Sequence, residues 1–158
     1  MKTLFIITST LNCQSDIKNW SITFVDTGYS SNIGQRLVSV KEYLKNDEMF
    51  FANYSDNLTD FHLPKLVDDF TNSKNIAGFL CVKPKSYYHF VELNNKDSVE
   101  DFYDIKDTNL RINGGYFLFR PSIFDYIEDE EELVFNPFKR LIKEKKLMGY
   151  KHDGFWQS

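Results

Sequence analysis

Hydrophobic positions along the chain switch between two periods, and the switches outline its elements. In "WSITFVDTG" (20–28), apolar Ile22 and Phe24 alternate with polar Ser21 and Thr23 up to a glycine turn, which predicts a strand. In "IGQRLVSVKEYLK" (33–45), Ile33, Leu37, Val40 and Leu44 fall at helical spacing, and Val38 widens the apolar face. Asn32 stands where an N-cap belongs. "EMFFANY" (48–54) shows little alternation, which suits a strand covered on both faces. "LPKLVDDF" (63–70) places Leu63, Leu66, Val67 and Phe70 on one helical face, with Pro64 in the first turn. "IAGFLCV" (76–82) is strand-like again. The order strand, helix, strand, helix, strand predicts right-handed crossovers and a parallel core.

The rhythm changes after residue 83. "YYHFVEL" (87–93), "SVEDFYDI" (98–105) and "INGGYFLF" (112–119) are strand-like without long helices between them. Asn94–Asn95 reads as a tight turn, and the three runs read as a meander added to one side of the sheet. "PSIFDYI" (121–127) and "NPFKRLIKEKK" (136–146) read as helices, the second capped by Asn136 and opened by Pro137. "LMGYKHDGFWQS" (147–158) supplies a last strand or extended segment. The expected fold is α/β: one domain over 1–158, a mostly parallel central sheet flanked by helices, and an antiparallel β addition.

Composition narrows the function classes. Apolar residues make up 42% and aromatic residues 16%, enough for a core and against disorder. A net charge of −4 argues against a broad nucleic-acid or membrane surface. The acidic run "EDEEE" (128–132) reads as a solvated loop. Cys13 and Cys81 lie far apart with no CxxC or Cys/His spacing, so they read as reduced thiols of a cytoplasmic protein. His62, His89 and His152 form no zinc motif. The opening "MKTLFIITSTLNC" carries one lysine before a short apolar stretch broken by Thr and Ser, with no small-x-small site after it. A strand over 3–9 is the better reading, and no run approaches membrane-spanning length.

Three places invite chemistry. Asp56 follows an apolar strand and precedes a helix, and open α/β sheets bind ligands at carboxyl ends of strands. A hard cation such as Mg²⁺ prefers such a carboxylate, although Asp56 or Asp60 would serve as well in an Asx-turn or helix cap. Gly114–Gly115 inside a strand mark a bulge or a close approach to a ligand. Arg36, on the helix after the polar loop "VDTGYSS", can reach a phosphate or base, or simply lie on the surface. "KPK" (83–85) is either a second basic spot or a strand-ending turn. No Ser/His/Asp spacing, P-loop or Rossmann glycine fingerprint is present.

Four segments, taken in order, carry a more specific signal. "WSITFVDTGYSSNIGQRLVSVKEYL", "MFFANYSDNLTDFHLPKLVDDF", "INGGYFLFRPSIFDYI" and "LMGYKHDGFWQS" resemble the middle and later part of the glucose-1-phosphate cytidylyltransferase group of sugar-phosphate nucleotidyltransferases. The resemblance implies a reaction in which a sugar 1-phosphate attacks the α-phosphate of a nucleoside triphosphate, with Mg²⁺ and cationic side chains offsetting phosphate charge. It implies that Asp56 is a catalytic, metal-binding aspartate. It places Asn113, Gly114 and Gly115 at the sugar, and Thr27, Gly28, Gly34 and Arg36 beside the nucleotide. Lys106, in "YDIKD", matches the family's sugar-phosphate lysine.

The chain also departs from the pattern. Residues 1–19 show nothing like the family's glycine-rich G-x-G-T-R loop, and "YSDN" replaces a Tyr-Gly-Asp-Gly. The family's Met-Asp-Thr segment has no counterpart before Ser158. The expectation is therefore a domain truncated at both ends, with little activity alone, or one completed by another polypeptide or by homo-oligomerisation. Two other readings stay open: a non-catalytic binding or assembly protein that retains the fold, and a metal-dependent nucleotide-sugar glycosyltransferase. Neither the sugar nor the base is named by these residues.

Overall fold

The computed structural model describes residues 22–85 and 89–158. The strand expected over 3–9, Cys13, residues 20–21 and the start of the run at 87 lie outside them. Residues 22–28 are extended, but the only regular pairing is a single bridge position at Thr23, so the strand expected over 20–28 is not a ladder among the described residues.

Helix α1 (Ile33–Ser39) starts at Asn32 with a reciprocal cap. The Asn32 side chain accepts from the Gln35 N–H, and the Gln35 side chain accepts from the Asn32 N–H. The expected long helix is broken at Val40, and a one-turn helix α2 (Lys41–Leu44) follows. Leu37, Val40 and Leu44 are buried on both sides of the break, whereas Val38 stays 42% exposed and does not widen the core face. Strand β1 (Phe50–Asn53), the short strand β2 (Leu58–Thr59), helix α3 (Leu63–Thr71) and strand β3 (Ala77–Val82) come next. The hairpin strands β4 (His89–Leu93) and β5 (Val99–Asp104) enclose a turn at 94–98, where the Asn94 carboxamide oxygen accepts from the Lys96 and Ser98 N–H groups. Strand β6 (Ile112–Phe119), a 3₁₀ segment (Pro121–Tyr126), helix α4 (Asn136–Lys143), strand β7 (Leu147–His152) and strand β8 (Trp156–Gln157) complete the order.

The central sheet has the order β1-β6-β3-β7. β6 is antiparallel to both of its neighbours and β7 is parallel to β3, so three of the four strands point the same way. β6 therefore sits in the middle of the sheet rather than at one side with the hairpin. Its sequence explains why. Phe117 and Phe119 are buried on one face and Leu118 on the other, so "YFLF" needs cover from both layers and a strand on each edge. β1 is instead one of the two outer strands of this sheet among the described residues, with Phe50 buried and Phe51 47% exposed.

Two layers cover the sheet. On one face, Phe117, Phe119 and Phe50 meet Leu37, Val40 and Leu44 of the first two helices, Ile123 and Phe124 of the 3₁₀ segment, and Phe138 and Leu141 of α4. On the other, Leu118 meets Leu66 and Phe70 of α3. Each fully buried Phe or Leu here contributes about 1.5–3 kcal/mol relative to exposure. The Arg120 guanidinium closes the end of α3: it lies 5.2 Å over the Phe70 ring and donates to the carbonyls of Phe70, Thr71, Ser73 and Asn75. Asn136 does not cap α4; its amide donates to Glu131. No helix of the described residues is long and apolar enough to cross a membrane.

Candidate functional site

The chain leaves β1 at Asn53 and wraps round the glycine pair of β6. The Tyr54 N–H donates to the Gly115 carbonyl at 2.8 Å, and the Asn57 side chain and backbone N–H both donate to the Tyr54 carbonyl. The Tyr116 hydroxyl donates to the Asn57 carbonyl at 2.7 Å, which closes the loop from the strand side. Asn57 is buried, and its packing explains the glycine beneath it. Gly115 has φ +75°, and a Cβ there would stand 2.2 Å from Asn57 Nδ2 and 2.8 Å from the Tyr54 ring. Only a residue without a side chain permits this approach. Asn113 accepts from the Gly115 N–H, and its amide lies 3.5 Å from the Tyr54 hydroxyl. The Trp156 indole donates to the Gly114 carbonyl at 2.8 Å. Asp56 sits at the tip of this loop, three residues past β1 and exposed.

The second group gathers where α1 begins. Arg36 does not project freely. It donates to the Ser31 carbonyl at 2.9 Å, and reaches the Thr27 hydroxyl at 3.4 Å and the Tyr29 carbonyl at 3.5 Å. Arg36 therefore holds the 27–31 loop in shape. The Gly28 N–H donates to Asp26. Gly34 lets α1 meet the acidic loop, because a Cβ there would lie 2.2 Å from the Glu131 carbonyl. Tyr29, Ser31, Asn32, Arg36, Tyr54, Glu132 and Phe135 line a cleft of about 660 Å³ together with Ile33 and Val134.

Tyr54 joins the two groups. Its ring lines the cleft while its hydroxyl faces Asn113. Burial pushes its phenol pKa up, and the Glu132 and Asp56 carboxylates add to that, against the Asn113 hydrogen bond. Glu132 Oε1 is itself buried with no hydrogen-bond partner among the described residues. The acidic run is thus not simply solvated. Glu131 forms a two-pronged pair with Arg140 at 2.6 and 2.7 Å, and Asn32 donates to the Glu130 carbonyl.

Lys106 lies apart from Asn113–Gly115 in the hydrogen-bonding network. Its ammonium pairs with Asp104 at 2.8 Å in an exposed 3₁₀ turn. Lys83 is occupied by the Lys106 and Thr108 carbonyls. Cys81 is a half-buried free thiol whose pKa is raised by burial. Neither Asp56 nor Asp60 caps α3, whose N-cap is His62 without a side-chain bond. Among the described residues no group of three or more His, Cys, Asp or Glu side chains could hold a metal ion. Asp56 offers one exposed carboxylate, the kind of oxygen donor a hard cation takes.

Tyr54, Asn57, Trp156 and Glu132 escaped the sequence reading. The signals for them were slight: a lone Asn inside a loop, an aromatic pair near residue 156, and one Glu among five acidic residues.

No family model matches the chain. Over 143 residues it is 32% identical to the glucose-1-phosphate cytidylyltransferase of Salmonella typhimurium, covering 89% of this chain and 55% of that protein. Over 142 residues it is 31% identical to a Bacillus subtilis protein named for the same activity, covering 88% and 55%. A crystal structure of a Bacillus anthracis protein, described as a glucose-1-phosphate thymidylyltransferase and solved with sucrose, superposes with a TM-score of 0.63 at 17% identity, covering 87% of this chain and 59% of that one. That last likeness speaks for the fold. The chain spans about half the length of the relatives it matches, 55% in both cases.

Proposed function

From its homology with glucose-1-phosphate cytidylyltransferase and related sugar-phosphate nucleotidyltransferases, we propose that this chain forms the sugar-facing part of such a transferase, acting in the cytoplasm. The observation that carries this reading is the seating of the Asp56 loop on Gly115. It puts a carboxylate-bearing loop and the Asn113–Gly115 strand in one place, joined through Tyr54. In this reading Asp56 contacts a Mg²⁺ ion, and the ion offsets charge on the nucleotide phosphates. Asn113 and the glycine backbone face the sugar 1-phosphate. Arg36, with Thr27, Gly28 and Gly34, shapes the loop beside the nucleotide rather than gripping phosphate directly. Lys106 would have to leave Asp104 to meet a sugar phosphate.

Catalysis of this type is mainly positioning and electrostatics. No segment of these 158 residues matches the family's glycine-rich triphosphate loop, so little turnover is expected from them alone. The test is pyrophosphate release from CTP, UTP, dTTP, ATP or GTP with glucose 1-phosphate and Mg²⁺. It is run with the chain alone and with a second polypeptide carrying a glycine-rich loop. Turnover in either arm should fall by about 10²–10³ in Asp56→Ala. Turnover that ignores Asp56→Ala, or its absence from both arms, would sink the proposal.

A further inference from the structure

The stretch from His152 to Gln157 lies against the Asp56 loop and the glycine pair together. β8 pairs antiparallel with β2, matching Leu58 to Gln157 and Thr59 to Trp156. The Phe155 carbonyl accepts from the Asp60 N–H at 3.2 Å and from the Thr59 hydroxyl at 2.9 Å. His152 Nε2 lies 2.9 Å from Asp60 Oδ1 and 3.2 Å from the Phe155 carbonyl. Both are acceptors, so the imidazole must carry its proton on Nε2. The ring is 13% exposed, and Phe61 packs edge-on against it.

Its base is fixed from below. Arg111 donates to the Cys81 and His152 carbonyls and pairs with Asp153 at 2.7 Å. Trp156 then reaches across to the Gly114 carbonyl. The Asp56 loop is therefore held at three points: Gly115 holds its start at Tyr54, Tyr116 holds Asn57 just past the tip, and the 152–157 segment holds residues 58–60 at its end.

We propose that residues 152–157 form a strap that sets the position of Asp56, with His152 as its positioning residue. The hydrogen bonds of the His152 ring run to Asp60 and the Phe155 carbonyl, so it acts through Asp60 and β2. The strap itself is independent of catalysis, but its purpose, holding Asp56 where a metal-bound nucleotide would meet it, rests on the transferase reading above. Without the imidazole, Asp60 loses its side-chain anchor, and the end of the loop rests on the two-residue ladder β2–β8 and on the Thr59 hydroxyl and Asp60 N–H bonds to the Phe155 carbonyl. Gln at 152 presents an amide N–H near the place of Nε2 and should restore the hold.

Amide hydrogen exchange of the full chain without nucleotide tests the strap. In His152→Ala, the amides of residues 56–61 should exchange about tenfold faster, while those of β3 and β6 stay unchanged. His152→Gln should return the loop close to wild type. An unchanged loop in His152→Ala would overturn the proposal, and so would equal acceleration throughout β3 and β6, which would make the role one of general stability. Broadening of the 54–57 amides by Mn²⁺ with CTP gives the second readout. Weaker broadening in His152→Ala supports positioning, and undiminished broadening overturns it. Loop exchange that responds to His152 while Mn²⁺–CTP broadens neither protein supports the strap and counts against the transferase reading alone.

Discussion

Gly115 carries the tightest constraint in the site. Any side chain there must displace Asn57 and Tyr54 and also adopt a positive φ. Gly115→Ala should cost about 1–3 kcal/mol from backbone strain alone, with the clash added, read as a lower denaturant midpoint at unchanged slope. Glu131 is a residue whose ionisation bears on acid stability. The Arg140 hydrogen bonds chiefly hold its pKa at about 2 against an ordinary 4.5, and burial opposes them. A depressed carboxyl stabilises the fold fully above its ordinary value and loses that contribution as pH falls from about 4.5 through about 2. Urea unfolding of Glu131→Gln should accordingly show lower stability at neutral pH and a shallower loss between pH 4.5 and 2. An identical acid slope in both proteins would refute this. Some of this was legible in the residues: "NGG" announced a bulge, and the β3–β6 register shifts opposite it, while Asn32 announced its cap. The pairing of Glu131 was not, because one acidic residue in "EDEEE" looks like the next until α4 brings Arg140 to it.

At the level of elements, the longer strands from Phe50 onward were readable, whereas the short β2 and the strand order were not. The apolar run in "INGGYFLF" marks a strand, but nothing in that run says which strands flank it. β6 lies between β1 and β3 because Phe117 and Leu118 both need cover, on opposite faces. Leu118→Ala empties a fully buried position against Leu66 and Phe70. It should cost about 2–5 kcal/mol, and a thermal melt showing less than 1 kcal/mol would mean that this layer collapses readily around the gap. The break at Val40 was hidden for a related reason. Leu37, Val40 and Leu44 keep their helical spacing across it, so the buried pattern survives while the backbone changes. The His152–Asp60 contact joins residues 92 positions apart, and no local pattern reports such a meeting.

For the molecule as a whole, the way β6 enters the sheet bears on how the chain reaches its fold. β1 and β3 are made long before residues 112–119, yet neither has its β6 partner until then. Loops of that length close slowly, and pairings so distant in sequence put the sheet among topologies that assemble in milliseconds to seconds rather than microseconds. A nascent chain halted before Ile112 would hold two apolar strands, "FFAN" and "AGFLCV", without the strand that joins them. Unpaired strand edges of that kind recruit other chains. The hairpin β4–β5, which closes locally over five turn residues, would form first and fill the interval without shielding either edge. Synthesis of β6 thus joins β1 to β3 and covers one edge of each, and the other edge of β3 stays open until β7 arrives from Leu147 onward.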